Sequence, residues 1–137
     1  MKPEKYAHLH LKLLPAEYKY VLFESRQQLA TAQSVLLEAC KDFCAFSFQG
    51  ESSLICTTEA FVEGVKVQEG WIGVKIIGDM PFGTVQGLIA NISGTLYSDG
   101  VGVCLISTYL SDLFFIRREN LELARSALKK EGWGNLE

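Results

Sequence analysis

The segment FSFQGESSLICTTE at 46–59 and the segment LISTYLSDLFFIRR at 105–118 carry one pattern at an ungapped offset of 59 residues. In each, a short apolar run leads into a polar stretch with turn formers, and a second apolar run follows. That order predicts a β-hairpin. The surroundings repeat too, because each predicted hairpin is preceded by a strand and then a helix. A chain that writes strand, helix and hairpin twice is restricted to an α+β fold of two small, similar halves. Only the second half clearly carries a further helix after its hairpin.

The elements follow from changes of period. His8-Leu9-His10-Leu11-Lys12-Leu13 alternates strictly, which predicts a half-buried strand with Leu9, Leu11 and Leu13 toward the core. Pro15 is expected to break that strand, with a second one over 20–23. Over 26–43 the spacing changes to three and four residues, with Leu29, Ala32, Leu36, Ala39 or Cys40, and Phe43 on one face. This predicts an amphipathic helix with Ser25 as its cap. The hairpin strands 44–48 and 54–56 are joined through 49–53. The stretch 57–70 is more polar, carries Gly64 and Gly70, and is the expected seam between halves. A strand over 71–77 and a loop over 78–83 follow. Thr84 then caps a predicted helix whose stripe is Val85, Leu88, Ile89, Ile92 and Leu96, and Asp99-Gly100 ends it. The last helix begins around Glu119-Asn120. It has Glu119 and Glu122 early and Lys129 and Lys130 late, as the helix dipole favours, and it stops at Gly132.

Bulk properties narrow the function. The chain has 137 residues with 13 basic and 16 acidic side chains, and a formal net charge of −3. No Lys/Arg run exceeds the pairs Arg117-Arg118 and Lys129-Lys130, so a nucleic-acid footprint is not expected. No stretch approaches the roughly 20 apolar residues of a membrane span. MKPEKYAHLHLKLLP has no long apolar segment and no small-residue cleavage site, so the cytoplasm is the expected location. Cys40, Cys44, Cys56 and Cys104 form no CxxC, sit in apolar neighbourhoods and are expected as reduced core residues.

The stretch GDMPFGTVQGLIANISGTLYSDGVGVCLISTYLSDLFFIRREN shows a loop with Gly83, a helix, a small-residue turn at Asp99-Gly100 and a strand ending in Ile106-Ser107-Thr108. Over 71–131 it resembles the ACT domain, the small regulatory module of amino-acid metabolism. It looks most like the tandem ACT units of aspartate kinases and of short stand-alone tandem-ACT proteins. The pattern Ser107, Thr108, Tyr109 and Asp112 is similar to that of the cytosolic arginine sensors of animals. The resemblance implies ferredoxin-like βαββαβ units in tandem, with antiparallel sheets and helices on one face. It implies an N-terminal ACT-like unit over 1–65 and an ACT domain over 66–137. By the same resemblance the protein is a regulatory or sensor protein that binds a small molecule, a free amino acid, without catalysis, and forms a homodimer. A ligand-free dimerisation or docking module is the alternative. One departure stands out: only 133–137 follow the last helix, too few for the final strand. The tandem resemblance suggests that residues 9–13 supply it.

An amino-acid pocket needs donors for a carboxylate and an anion for an ammonium group or a basic side chain. The candidate ligand-binding residues form two walls. Asp79, Met80, Phe82, Gly83, Thr84 and Val85 make the first, and Ser107, Thr108, Tyr109 and Asp112 make the second. The helix after Gly83 offers free amides, and Gly83 allows close approach to the backbone. A strand–helix–strand connection makes its two strands parallel, so the ends of 71–77 and 103–106 are expected to meet beside that helix. As an ordinary turn, the same stretch accounts for Ser111 fully and Asp112 in part.

Other constellations lead to bland expectations. His8 and His10 are expected to share a solvated face with Lys12, and Cys40 and Cys44 lack two further ligands for zinc. No metal and no cofactor is therefore expected. The loop 78–84 lacks the lysine of a phosphate-binding loop. A small cysteine-dependent enzyme would need Cys104 or Cys56 beside the first strand, and no catalytic residue is assigned.

Overall fold

A computed structural model describes residues 1–79 and 87–137. By its contacts the chain divides into two compact units, Ala16–Trp71 and the pair of segments Met1–Pro15 and Ile72–Glu137. Two long strands, β1 (His10–Phe23) and β4 (Lys66–Ile77), contribute to both. Each unit is mixed α/β with antiparallel strand pairing and helices on the sheet, in a ferredoxin-like arrangement.

In the Ala16–Trp71 unit the strand order is β2-β3-β1-β4, with α1 (Arg26–Glu38), β2 (Phe43–Phe48) and β3 (Glu51–Thr57). β3 pairs antiparallel with β1 from Tyr18↔Thr57 to Phe23↔Ser52, and with β2 from Phe43↔Cys56 to Phe48↔Glu51. Alternation puts Val21, Phe23, Leu54 and Cys56 on one face, where they meet Leu29, Ala32 and Leu36 of α1. The hydroxyl of Ser25 accepts from the Gln28 amide at 3.2 Å and caps α1 as expected. Gln49 and Gly50 both have positive φ, 53° and 81°, the conformation a two-residue hairpin turn requires.

Two expectations about this unit need correction. The helix ends at Glu38 rather than near 43, and Phe43 opens β2. Phe43 packs on the same core that α1 covers, so its seven-residue spacing from Leu36 mimics two more helical turns. β4 begins at Lys66 rather than at Trp71, within the expected polar seam. Residues 66–69 are all exposed, so their strand is held by backbone pairing and shows no apolar alternation.

In the other unit the order is β1-β4-β6-β5, with α2 (Leu88–Ser98), β5 (Cys104–Ser107), β6 (Asp112–Arg117) and α3 (Leu121–Lys130). Its core joins Ile72, Val74 and Ile76 of β4 to Leu88, Ile92 and Leu96 of α2, Phe114 and Ile116 of β6, and Ala124 and Leu128 of α3. Tyr6 and Leu9 complete it from the N-terminal segment, with Leu11 and Leu13 packed against it. Both chain ends are fastened here. Tyr6 stacks on Trp133 at 6.3 Å, the Trp133 indole donates to Asn91 Oδ1 at 3.2 Å, and the Leu13 amide donates to the Glu137 carbonyl at 2.8 Å.

Pro15 does not break the first strand: β1 runs through it. Amides two residues apart point to the same edge of a strand, so a Pro15 amide would point where the Leu13 amide meets Glu137. The β3 pairing on β1 starts only at Tyr18, so the missing donor costs no bond of that ladder. α2 starts behind Gly87 and ends at Asp99, with Gly100 left-handed at φ 77°. Its expected cap Thr84 and first stripe residue Val85 lie outside the described residues. Cys56 is buried and Cys44 and Cys104 are half-buried, but Cys40 is exposed and is not a core residue. No described helix is long and apolar enough to cross a membrane.

Candidate functional site

The candidate residues lie in the unit that contains α2. β4 leads to Gly78, where an added Cβ would stand 2.6 Å from Leu9 Cδ2 and 3.0 Å from the His8 carbonyl, with φ at 138°. Only glycine fits there comfortably. The next residue, Asp79, accepts a 3.1 Å hydrogen bond on its backbone carbonyl from His8 Nε2, and its carboxylate is exposed. Met80, Phe82, Gly83, Thr84 and Val85 lie outside the described residues.

The second wall is described in full. Ser107 ends β5 and is the direct partner of Asp112 at the start of β6. Asp112 lies two residues before Phe114 and Ser107 two residues after Leu105, so both point to the face on which Phe114 joins the core. They therefore extend the helix-covered face just beyond its apolar part. Neither side chain has a hydrogen bond or ion pair among the described residues.

The turn between them uses Thr108 differently. Its amide donates to the Ser111 carbonyl at 2.7 Å, its hydroxyl donates to the same carbonyl at 3.1 Å, and the Ser111 amide returns a bond to that hydroxyl at 3.0 Å. Thr108 thus closes the turn as well as continuing from the strand, a local side-chain bond of the usual serine–threonine kind. Tyr109 and Leu110 stand at the tip, 76% and 77% exposed.

Strand directions put these groups at one end of the unit. α2 connects β4 to β5 as a crossover, so those strands run the same way, and β6 is antiparallel to β5. The end of β4, the end of β5, the start of β6 and the start of α2 therefore share an end. The expectation that the two strand ends meet is corrected in one respect. β6 lies between β4 and β5, which separates them by two strand spacings, about 10 Å. A hairpin returns its second strand to the inside here, which sequence order alone does not reveal.

Tertiary structure adds residues that spacing did not flag. A Cβ built on Gly87, the residue before α2, would lie 3.1 Å from Tyr6 Oη and 3.9 Å from Lys5 Nζ. Lys5 also stands over the Tyr6 ring at 5.1 Å. A cation and an imidazole from the N-terminal segment thus attend the same end as the start of α2. The alternation around His8 and His10 marked both as solvated, and both are exposed, but nothing in it pointed to Asp79. Among the described residues no group of three His, Cys, Asp or Glu side chains is placed to hold a metal ion.

A family model described as the ACT domain matches residues 66–130. A comparison with curated proteins finds no match. Among solved structures, a protein of Agobacterium tumefaciens superposes with a TM-score of 0.71 at 23% identity, covering 91% of this chain and 90% of that one. A Vibrio cholerae protein described as a possible transport protein gives 0.65 at 16% identity, covering 93% and 91%. The ligand-free regulatory subunit of aspartate kinase from Thermus thermophilus gives 0.64 at 13% identity, covering 89% and 97%. At these identities the likeness is one of fold.

Proposed function

We propose that residues 66–130, which match the ACT domain model, form an ACT domain, and that the protein is a cytoplasmic regulatory protein that binds a free amino acid without catalysing a reaction. The observation that carries the reading is the pair Ser107 and Asp112. They face each other across the first rung of the hairpin, beyond the core, and neither has a protein partner among the described residues. They stand at the end where α2 begins, and the first amides of a helix have no partner within the helix itself. A carboxylate is stabilised by such amides, and Asp112 is the matching anion for an ammonium group or a basic side chain. Asp79 belongs to the facing wall in this proposal, and Thr108 and Tyr109 frame the opening.

Association belongs to the same reading. β2 and β5 stand at the ends of the strand order, and exposed strand edges are pairing surfaces. The protein is proposed to be a homodimer, which light scattering at micromolar concentration tests directly.

The ligand is found by a thermal-shift screen of the twenty amino acids. A ligand at a hundred times its dissociation constant adds about 2.7 kcal/mol, a rise of several degrees for a domain of this size. Asp112→Ala should abolish that rise and leave the melting temperature of the free protein nearly unchanged. If no amino acid raises the melting temperature, the protein is instead a ligand-free dimerisation or docking module. If Asp112→Ala responds as the parent does, Asp112 is a turn residue only.

A further inference from the structure

The two units run through the same order of elements and differ at one step. One reads β4, α2, β5, β6, α3 and then the first part of β1. The other reads β1, α1, β2, β3, the segment 58–65 and then the first part of β4. Their strand orders correspond as well, β1-β4-β6-β5 against β4-β1-β3-β2. In the first unit α3 packs beside α2. In the second, residues 58–65 stand where a helix beside α1 would be, and they form none.

That segment is fixed flat against its sheet. Lys19, only 7% exposed, donates through Nζ to the carbonyls of Ala60 at 2.8 Å and Val62 at 3.3 Å. The Val65 amide donates to the Leu22 carbonyl at 2.8 Å, and a Cβ on Gly64 would come within 2.3 Å of that same oxygen. A single non-helical stretch of chain is thinner than a helix, whose diameter with side chains is about 10 Å. The difference remains as a groove of about 480 Å³ between α1 and the segment. Gln28, Thr31 and Val35 line one side, and Phe61, Glu63 and Val65 the other. Val35, Val65 and Phe61 are 42%, 55% and 95% exposed.

We propose that this groove docks an amphipathic helix of another protein, one with an alanine–leucine stripe like that of α3 and a basic side chain opposite Glu63. The corresponding position in the other unit defines the chemistry. α3 buries Ala124, Ala127 and Leu128, small enough to bring a helix close to its neighbour and sheet. Charge defines the rim, because Glu63 has no cation among the described residues. A second copy of the chain is a poor donor. Its α1, α2 and α3 each already bury their apolar stripe in their own cores. An external helix laid in a groove by anchors at three-to-four spacing is a common recognition mode. This docking neither uses nor depends on the amino-acid site.

The test uses the full-length protein and a fluorescent peptide of residues 119–131, the chain's own α3. Anisotropy should show saturable binding, weakened at least tenfold by Val35→Glu and also weakened by Glu63→Lys. Both positions are solvent-accessible, and an unchanged melting temperature confirms that each variant is folded. A peptide carrying Leu128→Glu should not bind. No binding at millimolar peptide overturns the proposal. So does equal binding to Val35→Glu, which would mean that the peptide displaces α3 from its own unit. A free protein that is dimeric in sedimentation and becomes monomeric on Phe61→Asp also overturns it, by assigning the face to a second copy.

Discussion

Leu9 lies far outside the matched segment 66–130, yet it is fully buried in the core that segment builds. Its Cδ2 occupies the space that a Cβ on Gly78 would need, 2.6 Å away. Leu9→Ala removes the side chain next to a residue that has none, and buried Leu→Ala changes cost about 2–5 kcal/mol. The His8 carbonyl would be 3.0 Å from that Cβ, so the backbones are already close and have little room to collapse. The cost should therefore fall in the middle of that range, about 3–4 kcal/mol. For a chain of this size this lowers the melting temperature by roughly 10–15 °C. Gly78→Ala alone should cost about 2–3 kcal/mol, from overpacking against Leu9 and from its φ of 138°. In the double variant the clash with Leu9 Cδ2 disappears while the φ strain and the His8 contact remain. The pair should fall short of additivity by about 1 kcal/mol. Urea unfolding of the parent and the three variants, followed by circular dichroism, measures the whole cycle. A cost below 1 kcal/mol for Leu9→Ala, or strict additivity, would show that the N-terminal segment is not part of this core.

Alkaline pH should weaken the Ala16–Trp71 unit. Burial raises the Tyr18 hydroxyl above its ordinary 10.0, with Asp42 and Cys44 adding to it, and burial with Asp42 raises the Cys44 thiol above 9.0. Burial raises Cys56 as well, against a smaller lowering by Lys19. The folded chain therefore holds protons that the unfolded chain releases from about pH 9 upward, so this stabilisation is full below that pH and is lost as pH rises. Urea midpoints at pH 7.5 and pH 10 check the sign, and a higher midpoint at pH 10 contradicts it. Ser25→Ala should cost about 1 kcal/mol by leaving the Gln28 amide without its cap, and Ser25→Asp should recover most of it. A neutral Ser25→Ala would mean that water serves that amide equally well.

What the sequence determined by itself was local. The two hairpins, the Ser25 cap, the stripe Leu88, Ile92 and Leu96 and the stop at Gly100 are written in period and turn chemistry. These signals act over a few residues, and nothing distant overrides them. That Ser107 and Asp112 face each other is local in the same sense, since hairpin register places them opposite each other. Thr108 was only half legible: its hydroxyl closes the turn, and an edge-strand threonine would look identical in sequence.

Tertiary structure decided what depends on neighbours remote in the chain. Pro15 passes through a strand because the edge to which its missing amide would point carries no β3 pairing before Tyr18. Residues 66–69 are strand although exposed, because backbone pairing asks nothing of their side chains. Leu9 and Tyr6 fill the core beneath α2, and Lys5 and His8 reach the candidate site, because the first residues pack with 72–137. The position of β6 between β4 and β5 is likewise a matter of which strands pair. Periodicity gives the face of a strand but not its neighbour, and it is the neighbour that fixes where Ser107 and Asp112 stand relative to the end of β4.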